Sequence, residues 1–199
     1  MKYLLTLVAA STLLAGSLFA QSVPSTQPND PTVNGRRENQ QDRIANGVQS
    51  GQLTAGETKN LESREASLNN EIKDDREADG GKLTSAEHQQ INNQQNHLSN
   101  SIYNDKHNAA TQNYKGEVGA RQENQQDRIA QGIRSGQMTA GETARAEGHE
   151  QRINQQIHAD RAANGGRLTG SERSQVNREQ NGASRQIYRE KHNGRTGAR

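Results

Sequence analysis

The chain of 199 residues contains no cysteine and no tryptophan, a single phenylalanine, three prolines, and only 28% hydrophobic residues. Without cysteine there is no disulfide, no thiolate metal ligand and no thiol nucleophile. The one phenylalanine, Phe19, falls in the leader, so the aromatic side chains left for packing are Tyr103, Tyr114 and Tyr188. That is too few to build a base-stacking platform. Low apolar content with 19 glycines argues against one broad core. Charge of one sign is also lacking: 25 basic and 23 acidic residues, net +2, alternate finely along the chain. Binding to phosphate backbones or anionic lipid needs clustered Lys and Arg, and no basic stripe is visible. Nucleic acid is therefore excluded as an expected partner.

What is present begins with a leader. Residues 1–20 hold one lysine, an apolar run and small residues before Ala20, the pattern of a secretory signal peptide. Cleavage is expected after Ala20, with Leu18 at an unusual position for it. The stretch Leu14-Ala15-Gly16-Ser17 has the form of a lipoprotein box with serine where cysteine is required, so no lipid anchor is expected. The predicted location is periplasmic or secreted, with no membrane contact after cleavage. Residues 21–35 carry all three prolines, Pro24, Pro28 and Pro31, and read as a solvated linker.

Beyond the linker the chain repeats. Glu38 to Ala45 returns as Glu123 to Ala130, 85 positions on, and Ile102-Tyr-x-x-Lys-His-Asn108 returns as Ile187 to Asn193. Internal duplication follows. The predicted division is helical repeat 1 over residues 36–110, a linker over 111–120, helical repeat 2 over 121–194, and a disordered tail over 195–199. Within each repeat, Gly-x-Leu/Met-Thr-x-x-Glu occurs twice, starting at Gly51, Gly81, Gly136 and Gly166. Thr followed three residues later by Glu is the capping box that opens a helix. The preceding glycine suits a turn of positive φ.

From the four threonines the sequence predicts long helices over residues 54–78, 84–107, 139–163 and 169–192, and shorter ones over 37–48 and 121–133. Leu53, Leu83, Met138 and Leu168 have no stapling partner on the next turn and are expected to point into a core. The turns Asp79-Gly80-Gly81 and Asn164-Gly165-Gly166 make neighbouring long helices antiparallel. That pairing sets Leu61 against Ile102, Glu65 against Leu98, Ile72 against Ile91, Glu150 against Ala183 and Ile157 against Val176. Glu57 would close on Lys106, Arg76 on Glu87, Glu142 on Lys191 and Arg161 on Glu172. The fold class is thus all-α: two tandem homologous modules, each a short helix plus a long antiparallel hairpin. The mixed polar and apolar seam calls for a third helix or a second copy of the chain to cover it.

Each motif copy resembles the second half of an EF-hand loop, which implies the bidentate calcium ligand at Glu57, Glu87, Glu142 or Glu172. The first half matches only with one extra residue, giving Asp75, Glu77 and Asp79 with Glu87, and its counterpart decays to Asp160, Ala162 and Asn164. The Leu-Thr-x-x-Glu segments also resemble the Leu-Thr-x-x-Gln helix openings of Spy-type periplasmic stress chaperones. The chain as a whole is similar to uncharacterised small exported bacterial helical-repeat proteins, a likeness that brings no activity with it. His107 and His192 match between repeats and are read as helix C-terminal caps, with Asn108 and Asn193 supplying a left-handed turn.

No nucleophile elbow, phosphate loop or His-Glu-x-x-His is present, and the carboxylates are expected on the surface beside basic partners. No catalytic, cofactor or metal residue is assigned, and no cofactor is implied. The sequence therefore reads as a non-enzymatic exported protein that binds or scaffolds, its partner an unnamed protein or polar polymer, with association of copies expected. The alternatives are a calcium-responsive module of degenerate EF-hand type and a Spy-like chaperone.

Overall fold

The structure is a computed structural model and describes residues 31–112, 114 and 116–197. The leader and most of the linker lie outside the described residues. Six helices and no strand are found among those described: α1 (Pro31–Gln49), α2 (Ala55–Ala78), α3 (Ser85–Lys106), α4 (Gly116–Arg134), α5 (Ala140–Ala163) and α6 (Gly170–Lys191). The chain is all-α. None of these helices is long and apolar enough to cross a membrane.

Local chemistry explains the helix starts. Thr54, Thr84, Thr139 and Thr169 are N-caps in extended conformation, each accepting from the backbone N–H of the glutamate three residues on. Glu57, Glu87, Glu142 and Glu172 reach back to the threonine N–H at 2.8, 2.7, 3.0 and 2.8 Å. Two otherwise unpaired donors are satisfied at every start. Gly51, Gly81, Gly136 and Gly166 take φ of 70°, 90°, 68° and 91°, a region that strains any side chain. His107 and His192 cap α3 and α6.

Three expectations need correction. α1 and α4 begin earlier than residues 37 and 121: Pro31 suits the first turn of α1, and Val33 and Val118 bury their side chains in the added turns. Among the described residues, none but glycine has positive φ, so Asn108 and Asn193 do not supply a left-handed cap. Their side chains bind instead: each Nδ2 donates to a glutamate Oε1 at 2.7 Å, Asn108 to Glu57 and Asn193 to Glu142. Among the described residues the hairpin-end ion pairs are replaced: Asn108, Asn193 and Asn164 meet Glu57, Glu142 and Glu172, the last at 2.8 Å, Asp79 meets Glu87, and Lys191 Nζ donates to Gln131 at 2.8 Å.

Packing follows the duplication. α2 packs on α3 and α5 on α6, with Ile72 and Ile91 in one apolar cluster and Ile157 and Val176 in another. Leu53, Leu83 and Met138 are buried, and Leu168 partly so. The most extensive helix contacts run between the halves, α2 along α5 and α1 along α4. α1 and α2 thus each meet their own counterpart, α4 and α5, as in the isologous contact of a symmetric dimer, whereas α3 and α6 pack only within their own halves. The central core draws on both halves in matched pairs, Ile44 with Ile129, Val48 with Ile133, Leu53 with Met138 and Ile102 with Ile187. What covers the weak seam is the other half.

Candidate functional site

The α2 and α5 interface is polar at its heart. Thr58 and Thr143 are fully buried and satisfied, each Oγ1 donating to the carbonyl of its cap threonine at 3.0 and 3.1 Å. One turn on come Glu62 and Glu147, then Glu65 and Glu150, all four no more than 1% exposed. α1 and α4 supply their few partners: Gln41 Nε2 donates to Glu62 Oε2 at 3.2 Å and Gln126 Nε2 to Glu147 Oε2 at 3.0 Å. Arg37 Nε stands 3.8 Å from Glu65 Oε1. At Arg37's equivalent position is Gln122, which donates to Asn154 instead.

Burial disfavours the charged form of each carboxyl. It pushes Glu62 up to about 8, with Glu65 adding and Gln41 opposing. Glu65 rises to about 7 through burial, held back by Arg37. Glu150 rises to about 8 by burial alone. Glu147 is carried well above the carboxylate range by burial, against its bond from Gln126, with Glu150 and Glu62 adding. The Tyr114 phenol is raised by burial and then by Glu147 and Glu150. Burial thus biases the seam carboxyls toward the neutral acid, and neither oxygen of Glu65 or of Glu150 has a hydrogen-bond partner among the described residues.

This overturns the expectation that every carboxylate sits on the surface with a base beside it. Glu65 and Glu150 were visible as polar members of the hairpin seam. Glu62 and Glu147 were not. The signal that could have found them is a polar stripe at Thr58, Glu62 and Glu65 that recurs intact at Thr143, Glu147 and Glu150.

Beside this seam lies a groove of about 550 Å³ between α2 and the first turn of α5. Four cations line it: Arg37 from α1, Lys73 and Arg76 from α2, and Arg195 from the segment after α6. That segment is tied down by Gly197 N, which donates to Gly136 O at 2.8 Å. No carboxylate is among the described lining residues. Arg37 is only 8% exposed, and its Nε has no hydrogen-bond acceptor among the described residues. Burial lowers its pKa; Glu65 opposes this and the nearby Arg76 reinforces it. Lys73 pairs with Glu77 at 3.0 Å and Arg195 approaches Glu142 at 3.8 Å.

Of the calcium-ligand set, Asp75 lies near Glu87 and Asp79, its carboxyl raised by burial and then by Glu87, Glu71 and Asp79. Asp79 contacts Glu87, and that contact raises Asp79 while the Thr84 N–H holds Glu87 down. Glu77 turns to Lys73. In the second half Gln156 bonds Asp160 at 2.7 Å and Asn164 bonds Glu172. Among the described residues no group of three or more His, Asp or Glu side chains converges as a metal ion would require. His107 and His192 each place Nδ1 2.7 Å from the tyrosine carbonyl one turn back and stack on that ring, at centroid distances of 4.2 Å. Among the described residues Tyr103 and Tyr188 are the large exposed aromatics, at 58% and 59%. Comparison with protein-family models, with curated protein sequences and with solved structures finds no match to this chain.

Proposed function

We propose that this is an exported, non-enzymatic helical repeat protein that acts by binding, built of two homologous modules, each a short helix with an antiparallel hairpin. The observation that carries the reading is a divergence between otherwise matched halves. Ala66 faces Gly141 and leaves the groove open, whereas its counterpart Gln151 lies against Gly56 and fills the matching space. A surface kept open in one half and closed in the other is what a single binding face requires. The non-enzymatic reading rests on burial. The carboxyls with acid–base character, Glu62, Glu65, Glu147 and Glu150, are shut inside the α2 and α5 seam, where no substrate reaches them. Export rests on the leader.

The test is a ligand survey by NMR with the full-length chain, covering calcium, neutral and charged oligosaccharides, small anions and an unfolded client protein. Shifts that cluster on Ala66, Arg76 and Gly141 are expected for at least one probe, with the probe unchanged. Chemical turnover would make the protein an enzyme. Suppressed client aggregation without groove shifts would move it to the chaperone class.

A further inference from the structure

The groove just described also discloses the chemistry of its ligand, an inference that rests on the binding role proposed above. We propose that it takes a small ligand carrying two or more oxyanion groups, phosphate or sulfate, seated between Arg37, Arg76, Lys73 and Arg195 against the first turn of α5.

Three independent features of the site lead there. The first is a buried cation with one distant partner. Arg37 sits at the groove wall, its Nε 3.8 Å from Glu65 Oε1 and without a hydrogen-bond acceptor, and Arg76 Nη2 is likewise buried without an acceptor among the described residues. These two guanidiniums are close enough to oppose each other's charge, so an anion between them relieves repulsion and supplies charge-assisted hydrogen bonds together. The second is the helix end. Ala140 and Gly141, the first residues of α5, line the groove, and N–H groups of a first turn have no intrahelical acceptor. The N–H groups of Ala140 and Gly141 are added to the site, at a helix start whose cap carboxylate, Glu142, is bonded to Thr139 and approached by Arg195 at 3.8 Å.

The third is the comparison between halves. The positions matching Arg37, Lys73, Arg76 and Arg195 are Gln122, His158, Arg161 and Ala110. Only one of the four cations is kept, and Gln151 occupies the space besides. Charge and room vary together, as expected if both serve one ligand. Lys73 and Arg195 are exposed; the Lys73 pair with Glu77 lies in solvent, where such pairs are weak, while Arg195 reaches from solvent to the buried Glu142 at 3.8 Å. Lys73 is free to turn inward.

The full-length chain is titrated calorimetrically at low ionic strength with inorganic pyrophosphate, a sulfated disaccharide and the unsulfated disaccharide. Saturable binding of pyrophosphate or of the sulfated sugar is expected, and whichever is tighter names the source of the oxyanions. Ala66→Gln and Arg37→Gln, which copy residues the other half accepts at the same places, should each weaken it by roughly tenfold or more. Lys73→Gln, at an exposed position unable to disturb packing, should weaken it by roughly threefold. Anion binding unaffected by all three variants would mean diffuse surface charge and overturn the assignment. Binding of the unsulfated sugar in preference to both anions would overturn it too, while leaving the binding role intact. No heat with any of the three probes ends the oxyanion assignment, and the wider ligand survey then decides the binding role separately.

Discussion

At the scale of single residues, the four glutamates of the seam make a pH-dependent contribution of unusual sign. Their folded-state pKa values lie above the ordinary carboxyl value, so the folded protein binds more protons than the unfolded chain. The stability they contribute is complete below the unfolded pKa near ~4.3 and declines as pH climbs to the folded values. For Glu62 and Glu150 that upper limit is about 8, and for Glu65 about 7. Each carboxyl contributes a slope of up to about 1.4 kcal/mol per pH unit within its window. Urea denaturation at pH 5, 6, 7 and 8 should therefore show falling midpoints, where most proteins change little. Glu62→Gln and Glu147→Gln replace an acid by an amide of the same shape, and each should flatten the profile and raise stability at pH 8. An unchanged profile in the double variant would remove the seam as its origin.

A second residue-scale consequence concerns the turns. Gly166 at φ of 91° can be replaced only with backbone strain, and Gly166→Ala is expected to lower stability by about 1 kcal/mol by urea titration. Nothing lies within 4 Å of where its Cβ would sit, so the loss measures conformation alone and not a clash.

Helices are where local and distant forces separate. Each long helix begins with the same Thr and Glu pair, and Thr54→Ala should cost about 1 kcal/mol in thermal or chemical unfolding. The partner of that loss is the unpaired Glu57 N–H, together with a carboxylate released from Thr54 Oγ1, now 2.7 Å away. Along the helix, apolar spacing sets the faces that meet within a hairpin. It does not choose the neighbour on the remaining face. α2 carries Leu61, Leu68 and Ile72 on one stripe and Thr58, Glu62 and Glu65 on another. The first is recognisable as a core stripe. The second, by composition alone, belongs in water and is instead closed off by α5.

For the whole molecule, the decisive fact is that the central core is shared. Ile44, Val48, Leu53 and Ile102 lie in one buried cluster with Ile129, Ile133, Met138 and Ile187. A chain cut between residues 112 and 116 should yield two pieces that copurify as a stoichiometric pair. Expressed alone, the first half should dimerise, since its counterpart surface is nearly its own image; a folded monomer by sedimentation would refute the shared-core account. Within one chain, the seam of each half is covered by the other half.

Residue order alone specified whatever acts within a turn or two: the four capping boxes, the glycine turns, the ends of the long helices, and the duplication with its matched apolar positions. These depend on groups a few residues apart, so no third body is needed to recognise them. The buried glutamates and the basic groove were decided by the fold. Arg37, Lys73, Arg76 and Arg195 look dispersed along the chain, and they converge only when α1, α2, the start of α5 and the segment after α6 pack around one space. Likewise a glutamate becomes a neutral acid only once a second helix has taken its water away, and that helix arrives from 85 positions further on.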